Sequence, residues 1–242
     1  MTNNSKEVLS ALYLQRNFEK ASVLSRFFKT GVGEYGYGDM FWGIAVPQIR
    51  EVVQTFYKNI ALIEIEKLLK HQVHEVRLCA VLLLVKQFAK ANEQVQQKIF
   101  NIYINNIKYI NNWDLVDLSA PNIVGQYLLN KDKSLLYVFA KSESLWERRI
   151  AIIATFTFIR RNDFKDTLAI CEILIQDKQD LIHKACGWML REIYKRHSQT
   201  IINFLNTWQK VMPRVALRYA IEKMPEAERQ AYLLTSKNKH AN

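Results

Sequence analysis

Backbone breakers are scarce in this 242-residue chain, which holds 7 Gly and 4 Pro. Five of the glycines (Gly31, Gly33, Gly36, Gly38, Gly43) fall in one short segment, so the rest reads as helices joined by short loops. Alternating β-branched runs bounded by turn residues do not occur, which excludes a sheet-based fold. Cysteines number 3, and Cys79, Cys171 and Cys186 each lie in an apolar run with no CxxC pair and no zinc spacing. That excludes a disulfide framework and suits buried, reduced thiols in a cytoplasmic protein. The longest apolar run, Ile150 to Ile159, carries two Thr and is too short to cross a bilayer. The first ten residues, MTNNSKEVLS, contain no signal-peptide core. HExxH, GxSxG, Walker A and paired Cys/His patterns are all missing. His71 and His74 are too few for a metal site and read as solvated residues near a helix start. The expectation is therefore no metal, no cofactor and no membrane partner.

What the chain has is positive charge and helical periodicity. Lys and Arg total 34 against 23 acidic residues, for a formal charge of +11. Such a field favours polyanionic partners, although a basic surface that binds nothing has the same composition. Apolar residues recur at helical spacing, as in 74–89 and 179–197. Polar punctuation separates the runs at 90–92, 111–112, 130–132, 161–163 and 177–178, where inter-helix turns are expected. Arg77, Asp114, Arg149, Lys184 and Arg218 open successive patterns and stand 37, 35, 35 and 34 residues apart. Each interval holds two helices and two turns. The fold expected is all-α: HEAT-like helical repeats forming one curved α-solenoid over 1–242, with a concave basic groove. The literal GxGxxG at Gly31–Gly36 follows a helical pattern with no βαβ unit around it, so it is not a nucleotide fingerprint. It reads either as a flexible surface loop or as a loop whose amides approach a phosphate backbone.

Three segments could carry chemistry. At 100° per residue, Ile182, Cys186, Met189 and Ile193 form a core stripe, while Lys184, Trp188, Arg191 and Lys195 form a basic stripe with an indole inside it. Trp188 either packs on a neighbouring helix or faces nucleic acid, where stacking is worth about 1–3 kcal/mol. In the second segment, Asn112 suits an N-cap and Asp114 a first turn. Asp117 falls on a mostly apolar stripe with Trp113, Ala120, Val124 and Leu128. A carboxylate there needs a cationic partner or a ligand. Pro121 lacks the N–H that would bond the carbonyl of Asp117, so the helix should kink there. In the third segment, Arg149 leans toward the apolar side, where it either pairs with Asp117 or holds a phosphate. Arg148 points elsewhere and reads as an exposed charge.

These residues resemble the AlkD-like DNA alkylation repair proteins, HEAT-like-repeat DNA glycosylases. The resemblance is carried by Trp113-Asp114-Leu115-Val116-Asp117, by Trp146-Glu147-Arg148-Arg149, and by Lys184-Ala185-Cys186-Gly187-Trp188-Met189-Leu190-Arg191-Glu192. Ser25-Arg26-Phe27-Phe28-Lys29, Phe41-Trp42-Gly43-Ile44 with Pro47, and Arg218-Tyr219-Ala220-Ile221 extend it over nearly the whole chain. It implies a monofunctional alkylpurine DNA glycosylase that hydrolyses the N-glycosidic bond of 3-methyladenine and 7-methylguanine in duplex DNA, initiating base excision repair. It implies Asp117 as the catalytic carboxylate, with Trp113 and Trp188 flanking the lesion's deoxyribose and Arg149 on the DNA backbone. Lys184, Arg191, Lys195, Arg214 and Arg218 are assigned with Arg149 as DNA contacts. Phe27, where some relatives carry Tyr, is assigned a minor contact near the lesion. The protein is expected to act as a monomer in the cytoplasm, associated with the nucleoid when bound to DNA. The alternative is a non-catalytic binder of bent or branched DNA.

Overall fold

A computed structural model describes residues 4–237, and within them every regular element is a helix apart from one isolated bridge, Met40 to Val73. It packs as two compact units, the first running to Tyr127 and the second starting at Leu128.

The first unit holds α1 (Ser5–Tyr13), α2 (Phe18–Phe27), α3 (Val46–Phe56), α4 (Leu62–Leu69), α5 (His74–Phe88), α6 (Glu93–Asn105) and α7 (Trp113–Ser119). Its core is built around α5, which packs against α3, α4, α6 and α7. Of the 15 residues of α5, 12 are buried, and from His74 to Leu84 the helix has no solvent face to give to polar side chains. Asparagines start the helices: Asn4, Asn17, Asn92 and Asn112 cap α1, α2, α6 and α7. After α7 the backbone opens into a π-type turn, Pro121–Gly125, where Gly125 N–H reaches the Ala120 carbonyl at 2.9 Å. Where a kink was expected at Pro121, the helix takes this wider turn. A short helix, α8 (Gln126–Leu128), follows.

The second unit holds α9 (Ser134–Ala140), α10 (Leu145–Ala154), α11 (Phe156–Ile159), α12 (Lys165–Ile173), α13 (Asp180–Tyr194), α14 (Ser198–Trp208), α15 (Arg214–Ala220) and α16 (Glu226–Lys237). The predicted core stripe of α13 is buried at Ile182, Cys186, Met189 and Ile193. Gly187 lies between those residues because α13 and α15 meet backbone to backbone. A Cβ there would stand 2.5 Å from both the Ala216 carbonyl oxygen and Tyr219 Cβ. Gly187→Ala is expected to destabilise the protein by about 3 kcal/mol, through overpacking that neither helix can relieve. A thermal melt checks this: an unchanged melting temperature would mean that the helices part freely.

All the punctuation segments fall between helices, and the repeat residues lie between the second and fifth positions of α5, α7, α10, α13 and α15. A second periodic device was not expected. Arg77 and Arg148 each stand fourth in their helix, and each donates from Nη1 to the two carbonyls five and six residues back. These are Gln72 and His71 (both 3.0 Å) for Arg77, and Glu143 and Ser142 (both 2.9 Å) for Arg148. Each also pairs with an aspartate, Asp39 at 2.7 Å and Asp177 at 2.6 Å. His183, fourth in α13, meets the Asp177 carbonyl six residues back at 2.5 Å. The expectation that Arg148 is an exposed charge is thus corrected. A helical wheel gives the direction in which a side chain leaves its own helix, but a long arginine folds back over the preceding turn and caps it.

The three cysteines are buried free thiols. Among the described residues no helix is long and apolar enough to cross a membrane, and no group of His, Cys, Asp or Glu is placed to hold a metal ion.

Candidate active site

The site in the first unit starts from the cap of α7. Asn112 is extended (φ −150°, ψ 156°), and its Oδ1 accepts the Trp113 N–H at 2.8 Å. Asp114 turns its Oδ1 to the Leu115 N–H, also at 2.8 Å. Trp113 and Asp117, one turn apart, are both half-buried and both line a cavity of about 600 Å³. The sequence placed them on one face; the structure gives that face a cavity.

Aromatic rings make up much of the remaining wall. Phe28, the residue that caps the end of α2, stacks on Trp113, with centroids 5.3 Å apart and planes at 22°. It also stacks on Phe41, at 5.2 Å and 16°. Phe27 stands edge-on to Trp113 at 6.0 Å and is 61% exposed, so it forms part of the rim. Two cations that the sequence did not single out, Lys20 of α2 and Arg50 of α3, line the same cavity with their residues otherwise exposed.

The glycine-rich segment supplies Phe41, Gly43 and Ile44 to this wall. It is held from inside. The buried Glu75 side chain accepts from three successive amides: Gly43 N–H at 2.7 Å, Trp42 N–H at 3.1 Å and Ile44 N–H at 3.2 Å. Gly31 N–H goes to Glu34 and Gly36 N–H to the Lys29 carbonyl. These amides are committed within the chain, so the reading in which they approach a phosphate backbone is corrected at those positions. The nest that could have held an anion holds a carboxylate of α5.

His74 is also unlike the expectation. It starts a helix, but it is 1% exposed rather than solvated. Its Nδ1 lies 3.2 Å from Asp39 Oδ2 and its Nε2 lies 2.8 Å from Asp114 Oδ2. Its ring stacks on Phe41 at 4.7 Å and tilts against Phe28 at 4.8 Å. Burial opposes the charged ring, but the two carboxylate bonds outweigh burial and push its pKa up to about 9. Asp39, despite its own burial, is held below the usual carboxylate range by His74 and Arg77.

In the second unit, Trp188 is half-buried, with its ring 5.6 Å from Phe156. Its Nε1 donates to Glu192 Oε1 at 3.2 Å. Glu192 closes one of the blocks that carry the resemblance, but the sequence gives it no role of its own. It stands four after Trp188, the same spacing as Trp113 and Asp117, and that spacing was the available signal. The basic stripe of α13 is not bare positive charge. Lys184 pairs with Asp180 at 2.5 Å, Lys195 with Glu192, and Arg191 with Glu222. Arg149 is buried and donates to the Leu181 carbonyl at 2.5 Å. Arg214 donates to the Leu233 carbonyl at 3.4 Å, and Arg218 is exposed.

Against known proteins, the sequence model of a family described as DNA alkylation repair enzyme matches residues 8–224. No match is found among curated proteins. Among solved structures, a predicted DNA alkylation repair enzyme from Enterococcus faecalis superposes with a TM-score of 0.71. It is 19% identical, over 88% of this chain and 98% of that one. AlkD2 from Streptococcus mutans superposes with a TM-score of 0.52 at 18% identity, over 92% of this chain and all of that one. At these identities the likeness is one of fold.

Proposed function

The chain belongs to the DNA alkylation repair enzyme family, and we propose that within it this protein is a monofunctional DNA glycosylase for cationic alkylated purines. The observation that carries the proposal is the shared cavity wall of Asp117 and Trp113, closed by Phe27, Phe28 and Phe41. A purine alkylated at N3 or N7 already bears positive charge, so its glycosidic bond is weak and the base leaves without prior protonation. Positive charge then develops on the sugar. A carboxylate and an aromatic face are the groups that stabilise such charge. Asp117 is assigned that role and the positioning of the water that attacks C1′, with Trp113 against the deoxyribose. Trp188 is assigned as a second indole toward the substrate, and Arg149, Lys184, Arg191, Lys195, Arg214 and Arg218 as contacts to duplex DNA. No lysine nucleophile is required. The test is incubation of the protein with methylated and unmethylated duplex DNA, followed by chromatography of released bases. Release of 3-methyladenine or 7-methylguanine is expected. No release, with tight junction binding instead, would favour a non-catalytic binder of branched DNA.

Lys20 and Arg50 are proposed to meet the phosphates beside the lesion, since they are the exposed cations on the cavity. Arg50→Ala is expected to weaken duplex binding at low salt. It should also reduce the slope of log K against log salt concentration by about 1, the counterion released at one phosphate. Fluorescence anisotropy at a series of salt concentrations measures both. An unchanged slope would place Arg50 away from the DNA.

A further inference from the structure

Three segments distant in sequence meet at His74: the glycine-rich segment through Asp39, the start of α5, and the start of α7 through Asp114. A neutral imidazole has one N–H and one lone pair, so it can donate to only one of two carboxylates and must turn a lone pair on the other. A protonated ring donates to both. The two contacts therefore fit an imidazolium. The charged groups facing it are Asp39 from the loop, Asp114 from α7 and Arg77 from α5. Arg77 is itself fixed on Asp39 Oδ1 and on two carbonyls, and Asn111 Nδ2 reaches Asp39 Oδ1 at 3.4 Å. Phe28 and Phe41 cover the ring.

Two routes lead from this ring to the proposed chemistry. Asp114 is the neighbour of Trp113 and lies in the turn that carries Asp117. Phe28 touches the imidazole on one side of the chain of contacts and stacks on Trp113 on the other. We propose that His74 is a positioning residue of the site: as an imidazolium strut between Asp39 and Asp114 it sets the direction of Trp113 and of the turn carrying Asp117. This rests on the glycosylase reading for its catalytic consequence, but not for its geometry.

An unfolded imidazole titrates near 6.5, and the folded ring near 9. The strut's contribution is therefore complete below about pH 6.5 and is lost as pH rises through about 9. Wild-type base release should fall across that alkaline interval.

Three measurements test the strut. In ¹⁵N NMR of the wild-type imidazole, both ring N–H groups are expected at pH 7.5, with one lost around pH 9; a neutral ring at pH 7.5 overturns the proposal. Single-turnover release of 7-methylguanine is then compared in wild type and His74→Gln from pH 6.5 to 10. The variant is expected to be about 100-fold slower with unchanged DNA affinity, as for a misplaced reacting group, and to lack the alkaline fall. A variant that keeps the wild-type rate and the alkaline fall overturns the proposal, even if it melts earlier. The third uses wild type labelled with 5-fluorotryptophan, the Trp113 resonance being assigned with Trp113→Phe. That ¹⁹F resonance should shift with a midpoint near pH 9, and no shift overturns the strut. The imidazole and fluorine measurements stand even if His74→Gln fails to fold, or if wild type releases no base and the glycosylase reading itself falls.

Discussion

Asp117→Asn is expected to lower the single-turnover rate of 7-methylguanine release by about 10³-fold while leaving affinity for methylated duplex nearly unchanged. Asparagine has almost the shape of aspartate, and Asp117 is half-buried on a cavity wall. The substitution therefore removes charge with little change in packing. A unit charge about 4 Å from a developing cation at an effective dielectric near 20 contributes about 4 kcal/mol, which corresponds to roughly three orders of magnitude in rate. The effect belongs in the chemical step, because positive charge on the sugar exists only on the way to the transition state. Rapid-quench chromatography of released base, alongside anisotropy for binding, separates the two. A variant with the wild-type rate would remove Asp117 from the chemistry and leave it a structural carboxylate. A variant that binds weakly but reacts normally would make it a DNA contact.

Gly43→Ala is expected to be the most damaging single methyl in the first unit, at about 4 kcal/mol. Two costs combine. Gly43 has φ +78°, where a Cβ is strained. That Cβ would also fall 1.9 Å from the Asn17 carbonyl oxygen and 2.6 Å from the Ala21 amide nitrogen. Both are backbone atoms at the start of α2, and the Asn17 N–H also bonds the Trp42 carbonyl at 2.8 Å. The loop and α2 must therefore separate, and α2 ends on Phe27 with Phe28 as its C-cap. A loss of melting temperature on the order of 10 °C is expected, together with slower base release. Gly33→Ala is the control. It shares a positive φ of 82°, but its added Cβ meets nothing within 4 Å. It should cost only about 1 kcal/mol. Equal losses in the two variants would show that backbone strain, not the contact with α2, governs the loop.

Local features were legible in the sequence, and long-range polar contacts were not. Hydrophobic periodicity marked α5 and α13 to within a few residues. Asn112 was readable as a cap and Pro121 as a disturbance of the helix, because each depends on neighbours within one turn. Asp117 stood out because a wheel shows a charge on an apolar stripe. His74, by contrast, owes its state to Asp39 and Asp114, which lie 35 and 40 residues away. The sequence did contain a warning: α5 is apolar on every side from Leu78 to Val85, which leaves polar residues at its start little room to be solvated. Arg148 was misread for a related reason, and the carboxylates beside the cations of α13 were not foreseen. A wheel shows which way a side chain leaves its helix, but not the carbonyl or carboxylate at its far end.

The buried cysteines have a meaning in a protein that repairs alkylation damage. Electrophiles that methylate purines also methylate sulfur, and the form of sulfur they attack is the thiolate. Burial pushes the Cys79 thiol up to about 12. Cys171 is raised well above its ordinary value, by burial and by its neighbour Cys186. At neutral pH both are protonated and out of reach of solvent-borne reagents. The core is thus chemically quiet under the exposure that creates the protein's own substrate, and iodoacetamide labelling of the native fold should leave Cys79 and Cys171 unmodified.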